Sequence, residues 1–326
     1  MQRTGKSTYI VSLPKNWATK NGVCAGSIIF ITQSDNGALM LSTDRSERDL
    51  KAKLEIGDKS GEVLIRDIIG CYLGGYRTIE VTSSHISSEQ KRDLRQIVNK
   101  LIGPEILEET ISKVVIQDLL SSEELQAQQA LKRIKTVVKS MIQDSLTALI
   151  NCDKDLAEDV IQRDNDVDRL NLLISRQFTE ILRSGSVKQE MLSSITAFNY
   201  MLAASNLERA ADHAHRIADI AYHCDVCLNE KFPDELSRLR SEFEGLVDDS
   251  ITFLLQMDSE RANELIEKIK IIQNRVQSLT NLGIINRESE IRVVTSSIER
   301  ISDYIMNICE LTINLRHATA DIAKVL

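Results

Sequence analysis

The chain carries the same short acidic motif twice, at Glu208–Asp212 and at Glu299–Asp303. Both stretches read E-R-x-x-D, and they begin 91 residues apart (299 − 208 = 91). Residues four apart lie on one face of a helix, with their Cβ atoms about 6 Å from each other. Two carboxylates at that spacing repel, so they need an arginine, a bound cation or solvent around them. The motif therefore indicates either a cation site or a solvated helix face.

Further residues that can ligate a metal accompany the first copy of the motif. His215 follows Asp212 by three residues, and Asp164 and Asp168 repeat the four-residue spacing on an earlier helical stretch. If the two helices run antiparallel, the two acid pairs can meet. Converging carboxylates with an imidazole nearby would bind a hard or borderline divalent or trivalent cation. The open alternative is a charged helix face held by intrahelical pairs.

The second copy of the motif lacks the facing acids. Asp153 and Asp258 mark equivalent starts of two helices, an offset of 105 residues (258 − 153 = 105). With that offset, Asp164 corresponds to Ile269 and Asp168 corresponds to Gln273. The sequence therefore predicts a metal site in the first repeat and a weak site or none around Glu299 and Asp303.

The 326 residues are 42% hydrophobic, which is enough for a sizeable core. The composition favours helices, because it includes only 13 Gly and 3 Pro and the aromatic share is 4%. Helical periodicity runs almost unbroken from Ser121 onward. The predicted helices span 122–150, 154–183, 190–223, 233–257, 260–281 and 288–322. Long helices with short joins pack as antiparallel neighbours in bundles. We therefore predict a mainly α fold with two tandem three-helix bundles, over 121–228 and 229–326.

The first third of the chain has a different pattern. Residues 1–43 alternate like a strand, then show a short helix and a hairpin, and a unit this small favours dimerisation. Residues 44–60 are predicted to be a linker, and residues 61–119 a small α/β unit whose sequence reveals no chemistry. Gly5-Lys6-Ser7 is not a phosphate-binding loop, because a strand follows it instead of a helix.

Charge and cysteines narrow the functional class. The net charge is −8, yet residues 1–60 carry nine Lys or Arg against six Asp or Glu, so only the head is suited to nucleic acid. The six cysteines are scattered, and we found neither a signal peptide nor an apolar run long enough to span a bilayer. These features predict a cytoplasmic protein with reduced thiols. Cys224 and Cys227 form a lone C-x-x-C, whereas a structural zinc site needs four ligands.

The acidic residues resemble those of the PhoU family of phosphate-uptake regulators. That family has two three-helix bundles with E/D-x-x-x-D motifs on the second and third helix of each. This sequence matches at Asp164–Asp168, Glu208–Asp212 and Glu299–Asp303, and it departs at Ile269 and Gln273. The resemblance implies an iron or zinc cluster at these acids in the first bundle.

The head resembles the AbrB/SpoVT-like swapped-hairpin DNA-binding domains, through Gly5, Leu13-Pro14-Lys15-x-Trp17 and Gly26. The order of head, middle unit and bundles resembles archaeal PhoU-type regulators. Their first strand usually begins a few residues earlier, which predicts a truncated amino end here. The resemblance implies DNA contacts, and cations of the head would pair with DNA phosphates. The candidate DNA-binding residues are Arg3, Lys6, Lys15 and Lys20.

Three functions follow from these patterns. The leading one is a dimeric, non-enzymatic, DNA-binding regulator of phosphate uptake. Its bundles would sense a signal, or they would contact the cytoplasmic subunit of a phosphate transporter or a sensor kinase. The protein would be peripheral to the membrane at most. The second is an adaptor that docks on such a partner without binding DNA. The third is a carboxylate-bridged metalloenzyme, because Asp212-x-x-His215 is spaced like the Glu-x-x-His motif of di-iron bundles.

Overall fold

A computed structural model describes residues 2–4, 8–33, 38–43, 50–120, 127–184, 194–223, 232–280 and 288–320. The chain divides into two compact units. One comprises Met1–Asp49 with Ser184–Leu192, and the other comprises Leu50–Arg183 with Ser193–Leu326. The α/β unit and both helical bundles thus belong to a single compact unit, and the head is separate from it.

The head follows the predicted order of strand, short helix and hairpin. Strands β1 (Gln2–Thr4) and β2 (Thr8–Ile10) pair antiparallel, and so do β3 (Phe30–Gln33) and β4 (Leu39–Ser42). In the order of the chain, helix α1 (Lys15–Lys20) comes between the two strand pairs, and it starts after Pro14. The sequence predicts the turn of this second hairpin at Asp35-Asn36-Gly37, which lies outside the described residues.

Large apolar side chains of the head face solvent. Tyr9, Ile28 and Leu39 are 62%, 71% and 65% exposed, and α1 buries none of its residues. Single exposed apolar residues are ordinary on protein surfaces, but a small unit that exposes most of its apolar side chains lacks a core. In the described part of the head, much of the apolar side-chain surface of a single copy is therefore exposed to solvent.

Residues 51–118 form a four-stranded α/β unit. Its elements are β5 (Lys51–Glu55), α2 (Gly61–Leu73), β6 (Thr78–Thr82), α3 (Ser88–Asn99), β7 (Pro104–Glu109) and β8 (Lys113–Asp118). The strand order is β5-β6-β8-β7, with β5 parallel to β6 and the other pairs antiparallel. Helices α2 and α3 bury Leu64, Tyr72 and Leu94 against the sheet.

The prediction of a linker over residues 44–60 was wrong for residues 51–55. Lys51, Lys53 and Glu55 are exposed, whereas Ala52 and Leu54 face the core of the α/β unit. An edge strand can keep charges on its solvent side, and lysine on such an edge also discourages pairing with other chains. The charged residues that suggested a linker therefore belong to the outer face of β5. Residues 44–49 lie outside the described residues.

The helical part has the predicted mainly α architecture. It comprises α4 (Ala127–Asn151), α5 (Lys154–Ser184), α6 (Ser194–His223), α7 (Phe232–Gln256), α8 (Ser259–Thr280) and α9 (Glu288–Ala320). The first join of each bundle has the same geometry. Cys152 and Met257 have positive φ angles of 55° and 54°, and the following Asp153 and Asp258 accept a hydrogen bond from the backbone three residues on. These joins are 105 residues apart, as the sequence comparison predicted (257 − 152 = 105).

The third helices of the two bundles, α6 and α9, pack against each other. The buried face of α6 is rich in alanine, including Ala203, Ala210 and Ala214, and small side chains allow close approach of two helices. Asn307 on α9 donates a hydrogen bond to Asn206 Oδ1 on α6 over 3.1 Å. The acidic motifs of both bundles thus lie on helices at the centre of the helical part.

A buried arginine joins the α/β unit to the first bundle. Arg176 on α5 is 2% exposed and forms an ion pair with Asp118 of β8 at 2.8 Å. Its Nη1 donates to the carbonyl oxygens of Tyr72 and Tyr76, and its guanidinium lies 4.7 Å from the centre of the Tyr72 ring. The helix that carries Asp164 and Asp168 is therefore attached to the sheet unit.

Candidate metal centre in the first bundle

Helices α5 and α6 bring the predicted acidic residues of the first bundle together. Asp164 Oδ2 lies 3.0 Å from His215 Nδ1 across the two helices. The other oxygen of Asp164, Oδ1, is buried and has no hydrogen-bond partner among the described residues. A buried carboxylate oxygen normally has a partner, so this atom is available to a ligand.

The surroundings of Asp168 raise the pKa of its carboxyl group. Burial, followed by the neighbouring charges of Asp164 and Asp212, raises its pKa to about 6. Lys100 at the end of α3 and His215 act in the opposite direction and lower the pKa of Asp168. Like charges in a partly desolvated site disfavour ionisation of each member.

The α6 pair shows the same effect. Burial and the charges of Asp212 and Asp168 raise the pKa of Glu208 to about 7. The pKa of Asp212 is also raised, by burial first and by Asp164 next. Both acid pairs therefore act on each other across α5 and α6. The cluster has more negative charge than its neighbours compensate, and a cation would relieve that repulsion.

The donor chemistry suits a metal, but the ligands do not converge on one point. Carboxylates with an imidazole are a donor set that iron and zinc accept. Among the residues that the structure describes, no group of three or more His, Cys, Asp or Glu is arranged to hold an ion. The fit therefore rests on the donor types, the charge imbalance and the unused Asp164 Oδ1. Metal binding would require the carboxylates to reorient.

In the second bundle, protein side chains already contact one carboxylate of the motif, that of Asp303. Gln273 of α8 donates a hydrogen bond from Nε2 to Asp303 Oδ1 over 2.7 Å, and Arg300 Nη1 lies 3.5 Å from Asp303 Oδ2. Ile269 is fully buried, and Glu299 is partly exposed on α9. The residue that replaces the facing acid is thus an uncharged amide that donates a hydrogen bond to Asp303.

The DNA-binding candidates occupy the head. Lys15 and Lys20 lie at the two ends of α1 and are exposed. The backbone of Arg3 pairs with Tyr9 in the β1–β2 hairpin, and Lys6 lies outside the described residues. No nucleic acid is present in the structure, so the DNA contacts remain a prediction.

Sequence reasoning missed two charged residues. One lies near the acidic cluster, and the other lies where the α/β unit contacts α5. Lys100 faces Asp168 from the α/β unit, and Arg176 fixes that unit to α5. No sequence motif predicts these two interactions, because each of them joins the α/β unit to α5, and the two segments are distant in sequence. Within the described residues, no helix is long and apolar enough to cross a membrane.

Comparisons with known proteins fall on the same segments. Residues 131–221 and 236–312 match the PhoU domain, and residues 2–49 match the family described as antidote-toxin recognition MazE, bacterial antitoxin. The chain is 25% identical over 198 residues to the phosphate-specific transport system accessory protein PhoU homolog of Clostridium acetobutylicum, covering 57% of this chain and 88% of that protein. It is also 25% identical over 190 residues to the accessory protein PhoU of Escherichia coli, covering 53% and 75%.

Two further matches extend the comparison. An uncharacterised protein of Methanocaldococcus jannaschii is 25% identical over 241 residues, covering 68% of this chain and 80% of that protein. The crystal structure of PhoU from Pseudomonas aeruginosa aligns with a TM-score of 0.50 at 22% identity, covering 59% of this chain and 96% of that chain. The solved structure therefore shares the fold of the helical part.

Proposed function

Since this chain belongs to the PhoU family and has an AbrB-like domain at its amino end, we propose that it is a regulator of phosphate transport and not an enzyme. The observation that carries the proposal is the match of PhoU domains to both bundles, together with relatives named as accessory proteins of phosphate-specific transport. The acidic cluster is a binding site in this proposal, and no residue is assigned a catalytic role.

The head would act as a dimeric DNA-binding domain. Its exposed apolar residues, such as Ile28 and Leu39, support association with a second copy. Two copies of α1 would then present Lys15 and Lys20 on one assembly, and paired cations bind DNA phosphates more strongly than a single basic helix. A cytoplasmic location follows from this role.

The bundle would act as the sensing or docking part. An iron or zinc ion would be held by the cluster of Asp164, Asp168, Glu208, Asp212 and His215. The bound cation would supply the positive charge that these side chains lack. A cytoplasmic subunit of a phosphate transporter or a sensor kinase would contact the bundles.

A specific observation also favours the adaptor function. The accessory protein of Clostridium acetobutylicum aligns over 88% of its own length with 57% of this chain. A protein of that size has little room for a separate head, so its named role requires mainly the bundles. If this chain works in the same way, its head serves only to dimerise it.

Recovery of genomic DNA by the purified full chain distinguishes the two functions. We expect enrichment of fragments upstream of phosphate-transport genes that persists at moderate salt, and loss of that enrichment in a Lys15→Glu/Lys20→Glu variant. A Lys268→Glu/Lys270→Glu variant on α8 changes the charge equally and should bind DNA like the wild type. Unaltered recovery by the head variant, or recovery that vanishes uniformly with salt, would leave the adaptor function.

A further inference from the structure

One face of α5 contacts the α/β unit. Leu172 packs against the core of that unit, and Arg176, four residues later, donates a hydrogen bond to the carbonyl oxygen of Tyr76 over 3.1 Å. Arg183 continues this face, with its guanidinium 5.4 Å from the centre of the Tyr76 ring. Asp168 lies four residues before Leu172, and residues at this spacing share one face of a helix. The acidic cluster therefore lies one helical turn beyond this contact.

The segment that follows α3 lies at the same contact. The hydroxyl of Tyr72 donates to the carbonyl oxygen of Ile102 over 3.0 Å, and the carbonyl oxygen of Tyr72 accepts from Arg176 over 3.0 Å. Lys100 ends α3 two residues before Ile102, and the next residue, Leu101, is buried in the core of the α/β unit. The backbone at Lys100 is thus fixed by the packing of the α/β unit, while its side chain is exposed.

Lys100 is a cation of the α/β unit that acts on the acidic cluster. Burial and then the charges of Asp164 and Asp212 raise the pKa of Asp168. Lys100 and His215 act in the opposite direction and lower it. His215 has a ring nitrogen that can ligate a metal, whereas a protonated lysine has only donors and no lone pair to offer. A metal ion that binds Asp168 therefore gains nothing from Lys100 and is repelled by it.

The internal repeat shows where this arrangement is confined. With the 105-residue offset, Leu172 corresponds to Gln277, which is exposed on α8. The apolar residue that contacts the α/β unit is thus replaced by an exposed amide in the second bundle. That bundle also has Gln273 in place of Asp168. The contact with the α/β unit and the facing acids therefore occur together in the first bundle.

We propose that Lys100 competes with a metal ion for the acidic cluster, so that the α/β unit weakens metal binding by the first bundle. The inference rests on the proposed function, in which this cluster holds iron or zinc, and it adds a residue that sets the affinity. In the metal-free chain, the ammonium group of Lys100 balances part of the carboxylate charge. A bound dication supplies that charge itself. A movement of the α/β unit relative to α5 would therefore change the metal affinity, and metal binding would in turn favour separation of Lys100 from the cluster.

Calorimetric titration of the metal-free full chain with zinc measures this competition. We expect Lys100→Met to tighten zinc binding about fivefold at low ionic strength, because an exposed charge pair contributes up to about 1 kcal/mol, a factor of about five. Lys100→Arg keeps the charge and should bind zinc like the wild type. Salt screens exposed charges, so the difference between Lys100→Met and the wild type should shrink at high ionic strength. A role of Lys100 in packing alone would not produce this salt dependence.

Lys91→Met is the matched control. Lys91 lies nine residues earlier on α3 (100 − 91 = 9), about 13 Å along the helix axis, where it pairs with Glu109 at 3.4 Å. We expect its zinc affinity to equal that of the wild type. Equal tightening in Lys91→Met and Lys100→Met would show an effect of net charge and overturn the competition, as would unchanged or weaker binding in Lys100→Met.

A further variant separates failure of this inference from failure of the metal site itself. Asp168→Asn combined with Glu208→Gln should lose the zinc binding that Lys100→Met tightens. If the wild type binds zinc at the cluster and Lys100→Met binds it equally well, only the competition is wrong. If the double variant retains all zinc binding of the wild type, the metal site of the proposed function is wrong, and the competition is wrong with it.

Discussion

At the scale of single residues, α6 carries titratable groups whose pKa values shift in opposite directions. Glu208 and Asp212 face the acids of α5, whereas the ring of His213 packs against the ring of Tyr304 on α9. Burial and like charges raise the pKa of the two acids, and burial with the charges of Arg216 and Arg300 lowers the pKa of His213 to about 4. In both cases the surroundings disfavour the charged form of the side chain.

Removing a carboxylate from the cluster should stabilise the metal-free protein. The pKa of Asp168 is about 6 in the folded chain against 3.8 for the free side chain. The folded state therefore binds more protons between these values, and its stability falls as the pH rises through that window. We expect Asp168→Asn to raise the free energy of unfolding by about 1–2 kcal/mol at pH 8.

Urea unfolding at pH 5 and pH 8, with a chelator present, measures this effect. The difference in stability between the two pH values should shrink in the variant. Asp166→Asn on the exposed face of α5 serves as the control and should leave the pH dependence unchanged. A variant that is less stable than the wild type at pH 8 would show that Asp168 has a compensating partner.

The two bundles should differ in metal content. If the first bundle holds the metal, Asp168→Asn combined with Glu208→Gln should remove most iron or zinc from protein isolated from cells. Asp303→Asn should remove little, because Gln273 and Arg300 already satisfy that carboxylate. Elemental analysis of each variant, expressed per chain, provides the measurement. Equal losses from both bundles would show that the second motif also ligates.

At the scale of elements, the contact between the α/β unit and α5 depends on one buried cation. Arg176 satisfies Asp118 and two backbone carbonyls, and these groups would be buried without partners in its absence. The sheet unit also places Lys100 near Asp168. Its attachment therefore influences the electrostatics of the acidic cluster.

Arg176→Met should destabilise the folded chain by about 3–5 kcal/mol, because it leaves a buried carboxylate unpaired. Chemical denaturation followed by circular dichroism measures this loss. Arg238→Ala is a suitable comparison, since that side chain is 68% exposed and pairs with Glu235 three residues earlier. We expect a change there below about 1 kcal/mol. Similar losses of stability in both variants would show that the buried contacts of Arg176 do not contribute more than an exposed ion pair.

At the scale of the whole molecule, the distribution of apolar surface predicts self-association through the head. The α/β unit and the bundles bury continuous cores, whereas the described part of the head exposes residues such as Ile28 and Ile31. Contiguous exposed apolar surface on a small unit is typical of an interface. A dimer formed there would bring the Lys15 and Lys20 side chains of two copies into one assembly.

Ile28→Lys with Ile31→Lys should shift the chain from dimer to monomer in sedimentation velocity runs. If the variant still dimerised, the desolvated interface would contain two charges per copy, at a cost of several kcal/mol. Ile271→Lys is the control, because Ile271 on α8 is 67% exposed and lies outside the head. A dimer that survives the head variant would place the interface elsewhere.

Local patterns in the sequence were sufficient for the helical architecture. Long stretches of helical periodicity, few glycines and prolines, and the aspartates that start α5 and α8 indicated the bundles and their repeat. The 105-residue offset also placed Gln273 opposite Asp303 correctly, because both bundles use the same join. The strand at Lys51–Glu55 was missed, since its charged residues outnumber the apolar ones and its partner β6 lies more than 20 residues away.

The sequence by itself determined the fold class, the repeat and the residue types of the acidic cluster, because these depend on spacing along one chain segment. Only the tertiary structure decided that Arg176 attaches the α/β unit to α5, and that Lys100 of this unit acts on the charge of Asp168. These contacts join residues 58 and 68 positions apart (176 − 118 and 168 − 100), and they depend on how whole elements pack. Local periodicity indicates which face of a helix is buried, but it does not identify the element that covers it.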